Sequence, residues 1–428
     1  MDTEGESYVF TTCVAKKRKL SVENDSVETD HKLAKIDIPS VGASTTLQNE
    51  ETSIELPITR SSDAPKDPVC YFDLLSDDVL LILLLYLNST DLYHLSLCNR
   101  RMNIICRDRS LWYRVNVICN GRSPSHISMR PYFNDSTSYV QLSKTILDPS
   151  NDLNEPTEDI CFDYKFLNCL KHLPYLKTFI LENHSLDATV LDLKYLPESI
   201  TELRLMKTTL LNLNNRQNGV FHNVHSILPN LEIVDVSFCQ WLHPQILFSL
   251  SKCPKMKALI MMGCRSMRDI IPYASIASMF GYSSLETLDM RLTYVGDSEI
   301  GCFNKIKNLK HIFLEKPEDV QPGDENESIT DICTTNLGMR NWRPEVAENN
   351  VYICSIPVEG GDFIEDTLET LVVRNYPRIT NITLKHAEKC LKSLKYLDVT
   401  GTNCTPEQIA IFKNHRPEVI LLHDDFAA

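Results

Sequence analysis

Apolar residues recur along most of this chain in one phrase: an apolar residue, two others, a second apolar residue, one other, and a third. It is found at Leu176-Phe179-Leu181, Ile200-Leu203-Leu205, Leu231-Val234-Val236 and Met256-Leu259-Met261, and again at Leu285-Leu288-Met290, Leu309-Ile312-Leu314, Leu368-Leu371-Val373 and Leu394-Leu397-Val399. Successive phrases start 24, 31, 25, 29, 24, 59 and 26 residues apart. The last two beats alternate, as a short strand requires when one of its faces is buried. Such a period predicts stacked coils, each giving one strand to a shared parallel sheet and closing through a helix or loop, with no single globular centre. The expected fold class is α/β, a curved parallel sheet with helices or loops on its convex side. Val419-Ile420-Leu421-Leu422 reads as a last strand over the open end, and His423 to Ala428 as a short acidic tail.

A different pattern precedes the repeats. Ser76 is a helix N-cap candidate, with Asp77 and Asp78 in a first turn where negative charge suits the helix dipole. The nine residues from Val79 to Leu87 are all apolar, about half the length of a bilayer-spanning helix. A helix apolar all round must bury one face against its own domain and the other against a partner. A second helix is predicted from Thr90, with Leu92, Leu95 and Cys98 on one stripe, and a third through Met102, Ile105 and Cys106 to Trp112. Three short helices in roughly 45 residues make a small core for independent stability. Trp112-Val115-Val117 is a candidate first coil that would fuse this module to the repeats.

The helical stretch, about Val69 to Val117, resembles an F-box, the motif that docks on the Skp-family adaptor of cullin-based ubiquitin ligases. The pattern falls on Leu75, Ser76, Asp78, Val79, Leu83, Leu84, Tyr86 and Leu87, then on Asp91, Leu92, Arg100, Arg101, Leu111 and Trp112. It departs at Ser76, where the family usually has Pro, and at Met102, where it often has Trp. The phrases resemble the cysteine-containing class of leucine-rich repeats. Three residues after the last beat stand Cys239 and Cys264, with Tyr376 and Thr402 as variants, and Arg378-Ile379-Thr380 follows Tyr376.

The two resemblances together imply a three-helix F-box followed by a leucine-rich-repeat solenoid: a substrate-recognition subunit of a Skp, cullin, F-box ubiquitin ligase, promoting ubiquitination and proteasomal degradation. The implied partners are the Skp-family adaptor, the cullin, the RING subunit and a protein substrate. The adaptor-binding residues so implied are Leu75, Ser76, Asp78, Val79, Leu83, Leu87, Leu92, Leu95 and Trp112. Substrate is expected on the concave side, where the residue between the two inward beats points out. That column is Ile180, Arg204, Asp235, Ile260, Asp289, Phe313, Val372 and Asp398, flanked by Met206, Met262, Arg291 and Arg374. The organisation expected is 1–68 disordered, 69–117 F-box and 118–428 solenoid, with an acidic insertion at about 316–366. The competing readings are a non-degradative scaffold or inhibitor, its adaptor docking weakened by Ser76 and Met102, and an enzyme that uses the solenoid for recruitment.

Composition narrows the chemistry. A net charge of −14 over 428 residues argues against nucleic acid, whose phosphates need a basic surface. No apolar run approaches 18 residues and no secretory leader is evident, so no membrane partner and a nuclear or cytoplasmic location are expected. The 15 cysteines contain no CxxC pair, and reduced buried thiols are expected rather than disulfides or zinc. The first 68 residues are rich in Ser, Thr, Asp and Glu; Lys16-Lys17-Arg18-Lys19 within them reads either as a nuclear-import signal or as a solvated charge run. Lys316 to Asp331 has loop composition, and Val351 to Ile356 either supplies a degenerate coil or does not. His222 and His225 form an HxxH without acidic or cysteine ligands at metal spacing. No catalytic constellation, metal site or cofactor is expected, and a receptor that acts through proximity needs none.

Overall fold

A computed structural model describes residues 71–119, 132–144, 164–189, 191–212, 219–318, 329–337, 345–346, 352–353 and 367–424. They lie in the unit Pro68–Ala428. The segment 1–68 with Lys16 to Lys19, and most of the insertion, fall outside them.

Eleven strands form one sheet in strict chain order. They are β1 Arg114–Cys119, β2 Tyr139–Lys144, β3 Thr178–Glu182, β4 Glu202–Met206, β5 Ile233–Asp235, β6 Ala258–Ile260, β7 Thr287–Asp289, β8 His311–Glu315, β9 Thr370–Arg374, β10 Tyr396–Asp398 and β11 Ile420–Leu422. Each pairs in parallel with the next. Three helices precede β1: α1 Asp77–Leu84, α2 Ser89–Ser96 and α3 Arg100–Ile105; others return the chain between strands: α4 Tyr164–Lys171, α5 Val224–Ile227, α6 Gln245–Ser251, α7 Ile271–Phe280, α8 Asp297–Gly301, α9 Asp331–Asn336, α10 Asn381–Cys390 and α11 Pro406–His415. This is a solenoid of the leucine-rich-repeat type. Every beat of the eight phrases is at most 6% exposed, so the beats form a continuous apolar spine worth about 1.5–3 kcal/mol per large side chain.

The coils are joined beyond the strands as well. Two residues after the last beat the backbone turns left-handed, at Asn183, Lys207, Phe238, Gly263, Leu292, Asn375 and Gly401. The amide there donates to the next coil, for example Lys207 to Ser237 O (2.8 Å), Phe238 to Met262 O (2.7 Å) and Leu292 to Glu315 O (2.7 Å). Left-handed backbone costs a side-chain-bearing residue about 1–2 kcal/mol, and the added inter-coil bond offsets it. One residue further on, the buried Cys239 thiol donates to Leu205 O (2.7 Å) and Cys264 to Val236 O (3.0 Å), again the carbonyl of the preceding coil. Thr208, Thr293 and Thr402 fill this place elsewhere and satisfy their own coil's carbonyl instead.

On the convex side, the first residue of one helix holds the N-cap of the next. Asp297 accepts from the Thr330 amide and hydroxyl (2.7 and 2.5 Å), and Asp331 accepts from those of Thr380 (2.9 and 2.6 Å). Asp331 also takes the Thr383 amide and hydroxyl (3.2 and 2.5 Å), and Asn381 bonds Thr405 through both its amide groups (2.8 and 3.2 Å). This relay corrects the insertion assigned to 316–366. Asp331 belongs to α9, the ordinary convex helix of the β8 coil, because its carboxylate caps its successor. The added residues follow α9. Tyr352–Ile353 pairs antiparallel with Glu345–Val346, apart from the main sheet; the rest of the stretch Val351 to Ile356 lies outside the described residues.

The helical module closes the first edge of the sheet. Ser89, buried at the start of α2, donates to Arg114 O (3.3 Å) and accepts from the Asn116 amide (3.0 Å). The expected boundary at 117 therefore falls inside β1, and Trp112-Val115-Val117 is indeed a first coil. A second, β2, lies on Thr137-Val140-Leu142; Thr137 is buried and donates to Trp112 O (2.9 Å). The helices are shorter than expected: α1 stops at Leu84, α2 begins at Ser89 with Asn88 as cap, and α3 ends at Ile105, before a 3-10 turn at Arg109–Trp112. At the other edge β11 falls on the expected strand Val419 to Leu422, and Asp424 just after it accepts the Gly401 amide of the preceding coil (2.8 Å) through its carboxylate.

Two substitutions test these joints. Gly263 has φ +70°, and a Cβ would sit 2.4 Å from Cδ1 of Phe238, so Gly263→Ala should cost about 2 kcal/mol in denaturant unfolding. Asp331→Ala strands donors from Thr380 and Thr383 and should cost about 2–4 kcal/mol, with Asp331→Asn intermediate; equal midpoints for all three chains would show the relay to be idle.

Candidate functional site

Two surfaces carry the residues assigned to protein contact. The first is the outer face of the helical module. Leu80 and Leu84 point one side of α1 into the core, whereas Val79, Ile82 and Leu83 are exposed, as are Leu85, Tyr86 and Leu87 beyond its end; Tyr86 is 85% exposed. Phe72, Leu74 and, on α3, Ile104 are also open to solvent. Arg101 fixes the segment that leads into α1, donating to Asp77 Oδ1 through Nε and Nη2 (2.9 and 2.7 Å) and to Phe72 O through Nη1 (3.0 Å). Ser76 caps α1 through the Val79 amide (3.4 Å).

Of the residues assigned to adaptor contact, Ser76, Asp78, Val79, Leu83 and Leu87 are exposed, and Leu75 and Leu95 are half-buried. Leu92 and Trp112 are corrections, since both are core residues, 2% and 0% exposed. Trp112 donates from Nε1 to Cys106 O (2.6 Å), and its ring lies 4.3 Å from that of Tyr132, whose hydroxyl bonds Ser96. They support the face and do not form it.

The second surface is the concave side of the sheet. The strand register sets Ile180, Arg204, Asp235, Ile260, Asp289, Phe313, Val372 and Asp398 side by side as one row of paired residues. Their exposure differs from that expected: Ile180, Asp235, Asp289, Val372 and Asp398 are buried, leaving Arg204, Ile260 and Phe313 half-exposed. The aspartates are taken up by the turn that follows each strand. Asp235 accepts from the Ser237 amide and hydroxyl (3.0 and 2.6 Å), Asp398 from those of Thr400 (3.1 and 2.7 Å), and Asp289 from the Arg291 amide (3.1 Å).

Arginines then cover them. Arg204 lies 3.5 Å from Asp235, Arg291 2.6 Å from Asp289 and Arg374 2.5 Å from Asp398. Burial pushes the Asp235 carboxyl up, against the Ser237 bonds and the Arg204 charge that pull it down. Burial alone would lower the Arg291 guanidinium, but the bonds and charge of Asp289 outweigh it and hold it above its ordinary value. What reaches solvent on this side is thus the guanidinium layer with Met206, Met262, Ile260 and Phe313, all half-exposed. Sequence alternation found the column but could not show that a D-x-S/T/R turn consumes its carboxylates.

Burial pushes the Cys253 and Cys264 thiols up to about 12, the latter also through the nearby Cys239. His222 is exposed and lines a cavity of about 180 Å³ with Trp241 and His243. Among the described residues no three His, Cys, Asp or Glu side chains gather where they could hold a metal ion, and no helix is long and apolar enough to cross a membrane.

No protein-family model matches the sequence, and no curated protein matches it. Among solved structures an internalin from Listeria monocytogenes is similar, at 14% identity over 75% of this chain and 89% of that one, with a TM-score of 0.34. A score that low adds nothing to the architecture read from the chain itself.

The thiols give a direct check. At pH 8, iodoacetamide followed by peptide mass mapping should label exposed Cys98 in the native chain and leave Cys239, Cys253, Cys264 and Cys333 unlabelled until denaturant is added.

Proposed function

We propose that this chain is the substrate-recognition subunit of a Skp, cullin, F-box ubiquitin ligase. The carrying observation is the helical module, which spends Leu80, Leu84, Leu92 and Trp112 on its own core while keeping Val79, Ile82, Leu83, Tyr86 and Leu87 exposed. Exposed apolar residues grouped in this way mark a protein contact, and Val79, Leu83, Tyr86 and Leu87 among them fall on positions where the sequence resembles an F-box. The Skp-family adaptor is the partner assigned to this face, with the cullin and RING subunit beyond it. The concave side of the solenoid is assigned to the protein that becomes ubiquitinated.

No chemistry is required of the chain itself in this role. Holding a substrate lysine beside a conjugating enzyme raises its effective concentration, typically into the millimolar range for short tethers. Ser76 in place of the usual Pro keeps its capping bond to Val79, so the docking helix stays formed although one apolar contact is lost.

The test is a binding titration of the purified full chain against the Skp-family adaptor. A Val79→Ser, Leu83→Ser, Tyr86→Ala variant, altered only at exposed positions, should keep its unfolding midpoint and lose about 100-fold or more in affinity. A folded wild-type chain that fails to bind would turn the reading toward a non-degradative scaffold.

A further inference from the structure

We propose that the strand-end half of the concave face, across β4 to β8, binds an acidic segment of the partner protein that carries a bulky apolar anchor. This deepens the substrate-receptor reading and rests on it.

The first support is an asymmetry of charge within the sheet. At the starting ends of the strands opposite charges pair with one another: Glu232 with Lys257 (2.8 Å), Glu286 with Lys310 (3.1 Å) and Glu369 with Lys395 (2.6 Å). At the far ends the exposed charges are Lys207, Arg265 and Arg268 against Asp269 and Glu318, with half-exposed Arg291, Lys316 and Glu315 beside them. Asp235 and Asp289 lie beneath their arginines, each 5% exposed. A cationic excess on a chain of net charge −14 is local and points to an anionic ligand.

The second support is how these cations are held. Lys207 Nζ lies 5.9 Å from the Phe238 ring centre, the Arg268 guanidinium 4.4 Å from that of Tyr294, and the Arg291 guanidinium 5.6 Å from that of Phe313. Each is restrained by its ring before any partner arrives, which lowers the ordering cost of binding. Arg291 spends Nε and Nη2 on Asp289, so Nη1 is the part left to meet a carboxylate.

Between the cations the surface is apolar. Met206, Ile260, Met262 and Phe313 are half-exposed there, at the ends of β4, β6 and β8, alternate strands about 10 Å apart. One large aliphatic or aromatic side chain can lie on Ile260 and Met262 with an adjacent Asp or Glu reaching Arg268 or Arg291.

The experiment uses the full chain alone, immobilised and panned with a phage-displayed random peptide library. The expected pool joins Asp or Glu to Leu, Ile, Met or Phe. Its peptides should lose at least about tenfold in affinity for Lys207→Glu and Arg268→Glu, both at exposed positions, and for Phe313→Ser, but not for Lys389→Glu on α10. Circular dichroism confirms that each variant is folded. Failure to enrich peptides, enrichment of basic or uncharged ones, retention by Arg268→Glu, or preference for an oligonucleotide over every peptide would overturn the proposal. The adaptor takes no part, so this result and that of the docking titration fail independently.

Discussion

No coil of this chain can bury its own apolar beats; each needs a neighbour on both sides, and the parallel ladder is what delivers that neighbour in register. The paired rows run without a slip from β1 to β11. Everything else either extends the ladder or protects it. The left-handed turns add an inter-coil bond past the strand end, the cysteine thiols tie the next turn back to the preceding coil, and the convex relay through Asp297, Asp331 and Asn381 repeats the same logic on the far side.

An open ladder has two edges, and unpaired edge groups invite unwanted pairing. Ser89 on α2 satisfies a carbonyl and an amide of β1, so the module that leaves an apolar outer face exposed also closes the sheet with its inner one. At the other edge the carboxylate of Asp424, just past β11, ties that coil back to the Gly401 amide in the turn after β10. The exposed apolar face and the sheet's first edge are therefore joined in the same few helices.

How far the sequence could be read follows from what kind of signal each feature leaves. The three-beat phrase is written in apolar residues, and every one of its beats is buried. The outward-facing helix was legible because Val79 to Leu87 holds more apolar residues than one inner face can use. Other features leave little trace. The left-handed turns are occupied by Asn, Lys, Phe, Leu and Gly, a set with no common chemistry. The β2 coil begins with Thr137, a polar residue that fits because Trp112 O accepts its hydroxyl. α9 hides inside acidic loop composition, and only the pairing of Asp331 with Thr380 and Thr383 reveals it. The burial of Asp235, Asp289 and Asp398 depends on turns and arginines that alternation does not encode.

The direct join of α2 to β1 turns the sheet into a ruler. Each strand is one division of about 4.8 Å, and the zero mark is the helix that carries the outer apolar face. A protein seated on β7 rather than β6 is displaced by one division from anything docked at the helices, with no flexible hinge at that first edge to absorb the difference. In a ligase built on such a chain, which lysine of the bound protein comes within reach would be decided in whole coils.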